Sequence, residues 1–559
     1  MKATDWLEMA GADARRRGLE PVVPLLDGLA TSTQALRDAA TRMDDAEEAR
    51  AADADRARAA DYVDGADRAG GRHAGLARHT DHADHARHPE HARHADHLEH
   101  MRLASTPEPA PPAGSLADLS LRLSRGEIKS ERLVEDCLEQ IKARQPELNA
   151  FITVTADQAL AAARAADREM AGGRHRGGLH GIPVSLKDLI DQAGLPTTAG
   201  SLVRKAHLAS HDAPVTARLR AAGAVFVGKT NLHEFAFGTT SDDSGFGAAK
   251  NPLDPSRSPG GSSGGSAISV VTGMALATVG TDTGGSIRIP SAACGIVGLK
   301  PQWGEISTEG VVPLSRQLDH VGPMARTVSD AWMLYEVMVG AGVATGATLH
   351  ESAIERLRVG VPRGYLFDRL DEDVERLVLG AIERLASAGA HIVEVEIPNV
   401  ADTPHVYLPL VLADAAEYHA RTLETQPRDY TPNVRYRLEM GRYVMGEDYV
   451  RAQRLRARLS REVDGALADV DVMALPALSI PAPTIGAATA PVKGGTEPVR
   501  AAMLRCTQLF NVTGHPALSM PCGLTRDALP AGLQLVGPRR GTTRLLQHAL
   551  AVERVLGDS

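Results

Sequence analysis

Between Asp373 and Ser387, apolar residues fall at Val374, Leu377, Val378, Ala381, Ile382 and Leu385. This three-and-four spacing predicts a helix with one buried face, and Gly389 follows as a stop. Shorter β-rich runs occur at Pro183–Leu186, Ala224–Val227, Arg358–Val361, His391–Ile397 and Val470–Leu475, and each predicts a strand. Strands alternating with amphipathic helices predict an α/β fold: a single large α/β/α sandwich around a twisted mixed β-sheet. The pattern starts near Ser115 and shows no internal repeat.

The chain before Ser115 is different in kind. Asp5 to about Asp45 reads as two short helices, the second with Leu19, Val22, Val23, Leu25, Leu26, Leu29 and Leu36 as its apolar positions. From Asp44 to Gly71 the sequence is almost wholly Ala, Asp, Arg and Glu, too polar to form a core. Histidines then recur at every third position, from His79 through His82, His85, His88, His91, His94 and His97 to His100. On an α-helix that spacing spirals around the axis, so the tract lines no single face; neighbouring i,i+3 pairs can still chelate Zn²⁺ or Ni²⁺ weakly, but a solvated tract with no required metal is the expectation. The segment Thr106–Gly114 is proline-rich and reads as a stiff linker. The predicted division is a helical segment (1–45), a low-complexity tract with linker (46–114) and a globular domain (115–559).

Composition narrows the function classes. Of the 559 residues, 43% are hydrophobic and 23% charged, as in a soluble globular protein, and the formal net charge is −9. No basic surplus exists to neutralise phosphates, so a nucleic-acid partner is not expected. The four cysteines (Cys137, Cys294, Cys506 and Cys522) form no CxxC pair and read as buried thiols in a reducing compartment. The N-terminal stretch lacks the apolar core of a signal peptide, and no 18-residue apolar run follows. The expectation is a cytoplasmic protein without a membrane partner or a cofactor.

Three glycine-rich or apolar segments carry the candidate chemistry. Lys187 ends Gly181-Ile-Pro-Val-Ser-Leu-Lys187; Ser262 lies in Gly260-Gly-Ser-Ser-Gly-Gly-Ser266; Ser286 lies in Gly280-Thr-Asp-Thr-Gly-Gly-Ser-Ile-Arg288. Two look-alikes fail on context. Gly223–Thr230 fits a phosphate-loop pattern, but its intervening Ala, Val, Phe and Val read as a strand. Gly260–Gly264 fits a nucleophile elbow, but Asn251–Pro259 upstream is a loop and not the required strand. Nor is the Gly/Ser run a linker, because apolar, helix-compatible sequence follows from Ala267 to Val279.

In spacing and flanking residues the three segments resemble the amidase signature family, whose members cleave amides with a Ser–Ser–Lys triad. The likeness extends through Gly228–Phe235, Cys294–Pro301, Leu318–Pro323 and Phe510–Pro516, and covers about Leu116 to Leu556. It implies Ser286 as the acyl-forming nucleophile, Ser262 as the bridging hydroxyl and Lys187 as the general base, with Ser263, Asp282 and Arg288 in supporting positions. The chemistry is coherent. A serine hydroxyl needs a base, and a lysine serves only when neutral, which near pH 7 requires burial to lower its pKa by about 3, worth about 4 kcal/mol. Thr283, Gly284, Gly285 and Ser286 can turn successive backbone N–H groups toward one point, as an oxyanion hole requires.

These motifs define the reaction and not the substrate. The expected substrates are a small or aryl carboxylic amide and water. One branch of the family, the glutamine-hydrolysing component of glutamyl-tRNA amidotransferase, works for a partner and has a Tyr-rich segment and an Asp to hold glutamine. The comparable positions here are Gly441–Tyr449 and Leu504, which depart from that pattern. Val406–Leu412 and Tyr418 are candidates for lining the acyl pocket. The N-terminal helices are candidates for docking on the catalytic domain or forming a homodimer. A third reading, a metal-binding or interaction protein on an inactive amidase scaffold, is excluded if hydrolysis survives deletion of residues 1–113.

Overall fold

A computed structural model of the chain describes residues 3–67, 114–340 and 352–557. Its strands are β1 (Phe151–Val154), β2 (Pro183–Lys187), β3 (Val225–Thr230), β4 (Ala277–Asp282), β5 (Val297–Lys300), β6 (His320–Ala325) and β7 (Arg358–Pro362). They continue with β8 (His391–Val395), β9 (Val472–Pro476), β10 (Thr489–Val492), β11 (Gly495–Pro498), β12 (Ala517–Leu524) and β13 (Pro530–Val536). Eleven of them form one mixed sheet in the order β1-β3-β2-β4-β6-β5-β12-β13-β9-β7-β8, while β10 and β11 pair separately. β2 lies between β3 and β4, parallel to both, and β7 lies likewise between β8 and β9. Antiparallel β6, β5, β12 and β13 join the two parallel groups.

All five expected strands form, with ends shifted by up to three residues. The expected helix is Glu372–Ser387, capped by the Asp371 carboxylate, which accepts from the N–H groups of Asp373 and Val374. One reading needs correction. The stretch Ala267–Val279 is not continuously helical: the helix runs from Gly264 to Val271, Gly273 takes a φ of 72°, and β4 begins at Ala277. A glycine in the left-handed region ends the helix, and the β-compatible residues beyond it join the sheet.

Every residue of β2, β3, β4, β5, β6, β9 and β13 is buried, so these strands show no alternation of buried and exposed positions. Edge strand β8 carries exposed residues instead. The phosphate-loop look-alike is β3, and its Gly228 has a packing reason. Val154 of β1 pairs with Gly228, and a Cβ there would stand 2.3 Å from the Thr153 carbonyl oxygen. The adjacent Lys229 is fully buried, its Nζ 3.0 Å from Asp188 Oδ1.

The N-terminal helices are Ala3–Arg16 and Val23–Asp67, joined by a single turn at Glu20–Val22. The second is far longer than the expected short helix, because the Ala, Arg and Glu beyond Asp45 are strong helix formers. Of its assigned apolar positions, Leu26, Leu29 and Leu36 are buried while Leu25 is exposed. Residues up to Ala40 group with the sheet in one compact unit. The histidine tract and Thr106–Ala113 lie outside the described residues. Among the described residues, no helix is long and apolar enough to cross a membrane.

Gly228→Ala tests the packing of β1 on β3. The added methyl meets backbone that cannot swing aside, so urea unfolding should show a loss of more than about 2 kcal/mol.

Candidate active site

The parallel trio β3-β2-β4 brings its carboxyl ends together, and the candidate residues gather there. Lys187 is the last residue of β2 and is fully buried. Its Nζ donates to Ser262 Oγ at 2.8 Å and to Thr281 Oγ1 at 2.9 Å, and it makes no ion pair among the described residues. Burial pushes the amine down to about 7, against the opposing pull of the Asp282 and Asp319 carboxylates. A lysine held by two neutral hydroxyls at that value is available as a base near neutral pH.

Ser262 precedes the helix Gly264–Val271 and is also fully buried. Its carbonyl accepts from the His233 N–H and the Ser241 hydroxyl, each at 3.2 Å, which holds the loop from behind. Ser263 ties this loop to its neighbours. Its N–H donates to the Ser286 carbonyl at 3.2 Å and its hydroxyl donates to the Thr281 carbonyl at 3.2 Å.

Ser286 sits in the turn between β4 and the helix Arg288–Cys294 and is 6% exposed, whereas Lys187 and Ser262 have no accessible surface. Of the three, it alone reaches solvent. The backbone N–H groups of Thr283, Gly284, Gly285 and Ser286 have no hydrogen-bond acceptor among the described residues. Four consecutive unpaired donors around a serine suit a developing oxyanion. The glycines are required by their neighbours. A Cβ on Gly284 would meet the Tyr407 hydroxyl at 2.6 Å, and one on Gly285, where φ is 144°, would meet Thr507 Oγ1 at 2.3 Å.

Asp282 and Arg288 brace this turn from below. Arg288 is fully buried, and its guanidinium donates to Asp282 Oδ2 (3.0 Å), Asp282 Oδ1 (2.9 Å), the Thr507 carbonyl (3.0 Å), Gln534 Oε1 (2.7 Å) and Asn511 Oδ1 (2.6 Å). All five N–H donors are used. The Asp282 carboxylate also accepts the Ile287 N–H at 3.1 Å. Burial alone would raise its pKa, but the charge and hydrogen bonds of Arg288 outweigh that and hold Asp282 well below the usual range.

The structure thus brings together Lys187, Ser262, Ser263, Asp282, Thr283, Gly284, Gly285, Ser286 and Arg288. Sequence reasoning missed Thr281, the second acceptor of Lys187, and Asp319, which accepts from the Thr283 hydroxyl at 2.6 Å. Burial holds the Asp319 carboxyl up at about 6, against hydrogen bonds from Thr283, Ser315 and Leu314. Asp319 stands in Leu318–Pro323 and Asn511 in Phe510–Pro516, so the likeness marked both segments without giving these two residues a role.

A cavity of about 580 Å³ lies alongside, lined by Leu314, Gln317, Asp414, Tyr418, Met445 and Tyr449 among others. None of the triad lines it. Its nearest tie to the site is Leu314, whose N–H donates to Asp319 at 3.0 Å. Tyr418 lines this cavity and Val406–Leu412 do not, the lining on that helix beginning at Ala413. Tyr407 lies instead against Gly284, as does Leu504.

The chain is similar to known proteins over most of its length. The family model described as Amidase matches residues 132–546. An amidase of Pseudomonas putida is 40% identical over 452 residues, covering 79% of this chain and 95% of its own. The A-type component of the glutamyl-tRNA(Gln) amidotransferase of Chloroflexus aurantiacus is 38% identical, covering 78% of this chain and 94% of its own. A solved amidase structure superposes with a TM-score of 0.75 at 36% identity, covering 79% of this chain and all of that one. The chain belongs to the amidase signature family and is a hydrolase acting on amide C–N bonds.

Proposed function

We propose that the chain hydrolyses a small or aryl carboxylic amide through an acyl-enzyme on Ser286, with Ser262 and Lys187 as its proton relay. The observation that carries this reading is the buried Lys187 amine, 2.8 Å from Ser262 and without a carboxylate partner. Neutral Lys187 takes the Ser262 proton as Ser262 takes that of Ser286, and Ser286 Oγ attacks the amide carbon. The carbonyl oxygen becomes an oxyanion facing the N–H groups of residues 283–286. Collapse breaks the C–N bond, and the relay returns its proton to the leaving amine. Water then attacks the ester with the same groups as base, releasing acid and free Ser286. No cofactor enters, and the reaction is assigned to the cytoplasm.

A glutamine-hydrolysing component of an amidotransferase is the second reading, favoured by the relatives of that name at similar identity. Against it, apolar Leu504 occupies the position where the resemblance implies an Asp, with Cδ2 3.1 Å from a Cβ placed on Gly284. An apolar group there suits an uncharged or aryl acyl chain better than an α-amino group. Glutaminase activity that appeared only with partner proteins would reverse this preference.

Two outcomes follow. Ser286→Ala should lose turnover by about 10⁴-fold or more and take no fluorophosphonate label, while wild type carries the label on Ser286 by peptide mass spectrometry. Hydrolysis unchanged in that variant would end the proposal. The second concerns pH. Because the neutral amine is the active form, kcat/KM should rise with pH through about 7 and level off above it. A profile that is flat from pH 5 to 8, or that falls across this range, would remove Lys187 as the base.

A further inference from the structure

The N-terminal helices touch the catalytic domain at His405, whose Nδ1 is 3.1 Å from Ser32 Oγ, and in a cluster of contacts at one turn. Asp13 Oδ2 accepts the Tyr443 hydroxyl at 2.8 Å, and Arg17 donates to Glu439 Oε2 at 3.0 Å. Arg37 donates through Nε to Asp448 Oδ1 at 3.0 Å and through a terminal nitrogen to Asp448 Oδ2 at 2.8 Å. Glu439, Tyr443 and Asp448 lie within ten residues of one another, around the turn between the helices Pro432–Gly441 and Gly446–Ala466. The Glu20–Val22 turn packs against the first of these helices, with Leu19 and Val22 buried.

The two carboxylates are the informative part. Glu439 and Asp448 are each 2% exposed, and each is shared between an N-terminal arginine and a local one, Arg442 and Arg451 respectively. Withdrawing one partner from a buried carboxylate is far costlier than breaking a surface pair. These contacts therefore hold the turn at three points with little slack.

The same turn borders the cavity. Val444, Met445, Gly446 and Tyr449 line it. Tyr449 continues inward: its hydroxyl donates to Asp414 at 3.0 Å and accepts from Gln317 at 2.7 Å, and Asp414 accepts from the Ser315 hydroxyl at 2.6 Å. Ser315 and Leu314 in turn donate their N–H groups to Asp319, which holds Thr283.

We propose that the cavity beside the site admits the substrate and that residues 3–40 are a built-in clamp on its Val444–Tyr449 wall, with Arg17 and Arg37 as positioning residues. The proposal rests on the amidase reading for the identity of the cavity's occupant. The clamp acts on binding more than on chemistry, because the wall it holds contains none of Lys187, Ser262 and Ser286.

The test uses the full chain with Arg17→Ala and Arg37→Ala combined. KM for an aryl amide should rise about tenfold with kcat changed less than about threefold, and amide hydrogen exchange should quicken over 441–449 but not in β2 or β4. Arg17→Lys with Arg37→Lys should recover part of the KM change, which a general loss of stability would not predict. Should the double variant fail to fold, Arg37→Gln alone gives the same two readings in smaller measure. Unchanged KM in a variant that has lost either ion pair overturns the clamp. A wild type that neither hydrolyses amides nor takes the fluorophosphonate label would instead sink the amidase reading, and exchange over 441–449 would still decide whether these helices hold the wall.

Discussion

The amine of Lys187 cannot be both buried and charged without compensation, and its nearest partners are hydroxyls. Everything else at the site is arranged around that constraint. β2 is flanked on both sides by parallel strands, so its last residue is sealed from water on the sheet as well as above it. The two carboxylates that would restore the charge are engaged elsewhere, Asp282 by Arg288 and Asp319 by Thr283. A carboxylate in direct contact would hold the lysine protonated and remove it as a base.

The second requirement is a turn that keeps four N–H groups unpaired without collapsing onto them. Here the buried Arg288–Asp282 pair is a brace. Its five donors reach β4, β13 and the helix that carries Asn511, so the turn is fixed from three directions at once. A buried ion pair adds little net stability in general, but one with every donor satisfied defines a geometry. The cost of leaving four amides unpaired falls on the fold, and the extended buried sheet supplies the margin.

Much of this was legible in the sequence, and the reason differs from part to part. Strand cores such as β2 and β3 and the helix Glu372–Ser387 are patterned over their whole length, so local pattern suffices. Lys187, Ser262 and Ser286 were marked by the resemblance of three long motifs to the amidase signature family. Thr281 and Asp319 were not, since each is a common residue whose role depends on a partner distant in sequence. The helix–strand break at Gly273 was missed because apolar residues suit both states, and one positive-φ glycine decides between them. Likewise Arg17 and Arg37 look like any solvated arginine until the chain folds back over four hundred residues later and gives them buried carboxylates.

Direct titration of Lys187 tests the central claim most closely. With ¹³Cε-labelled lysine and Lys187→Met to tell its signal from that of buried Lys300, which burial also shifts down, the account predicts a Lys187 resonance that titrates near pH 7, far below the ordinary lysine value of about 10.4. A Lys187 signal that remains that of an ammonium up to pH 9 would contradict it, because a lysine charged at working pH cannot take the serine's proton.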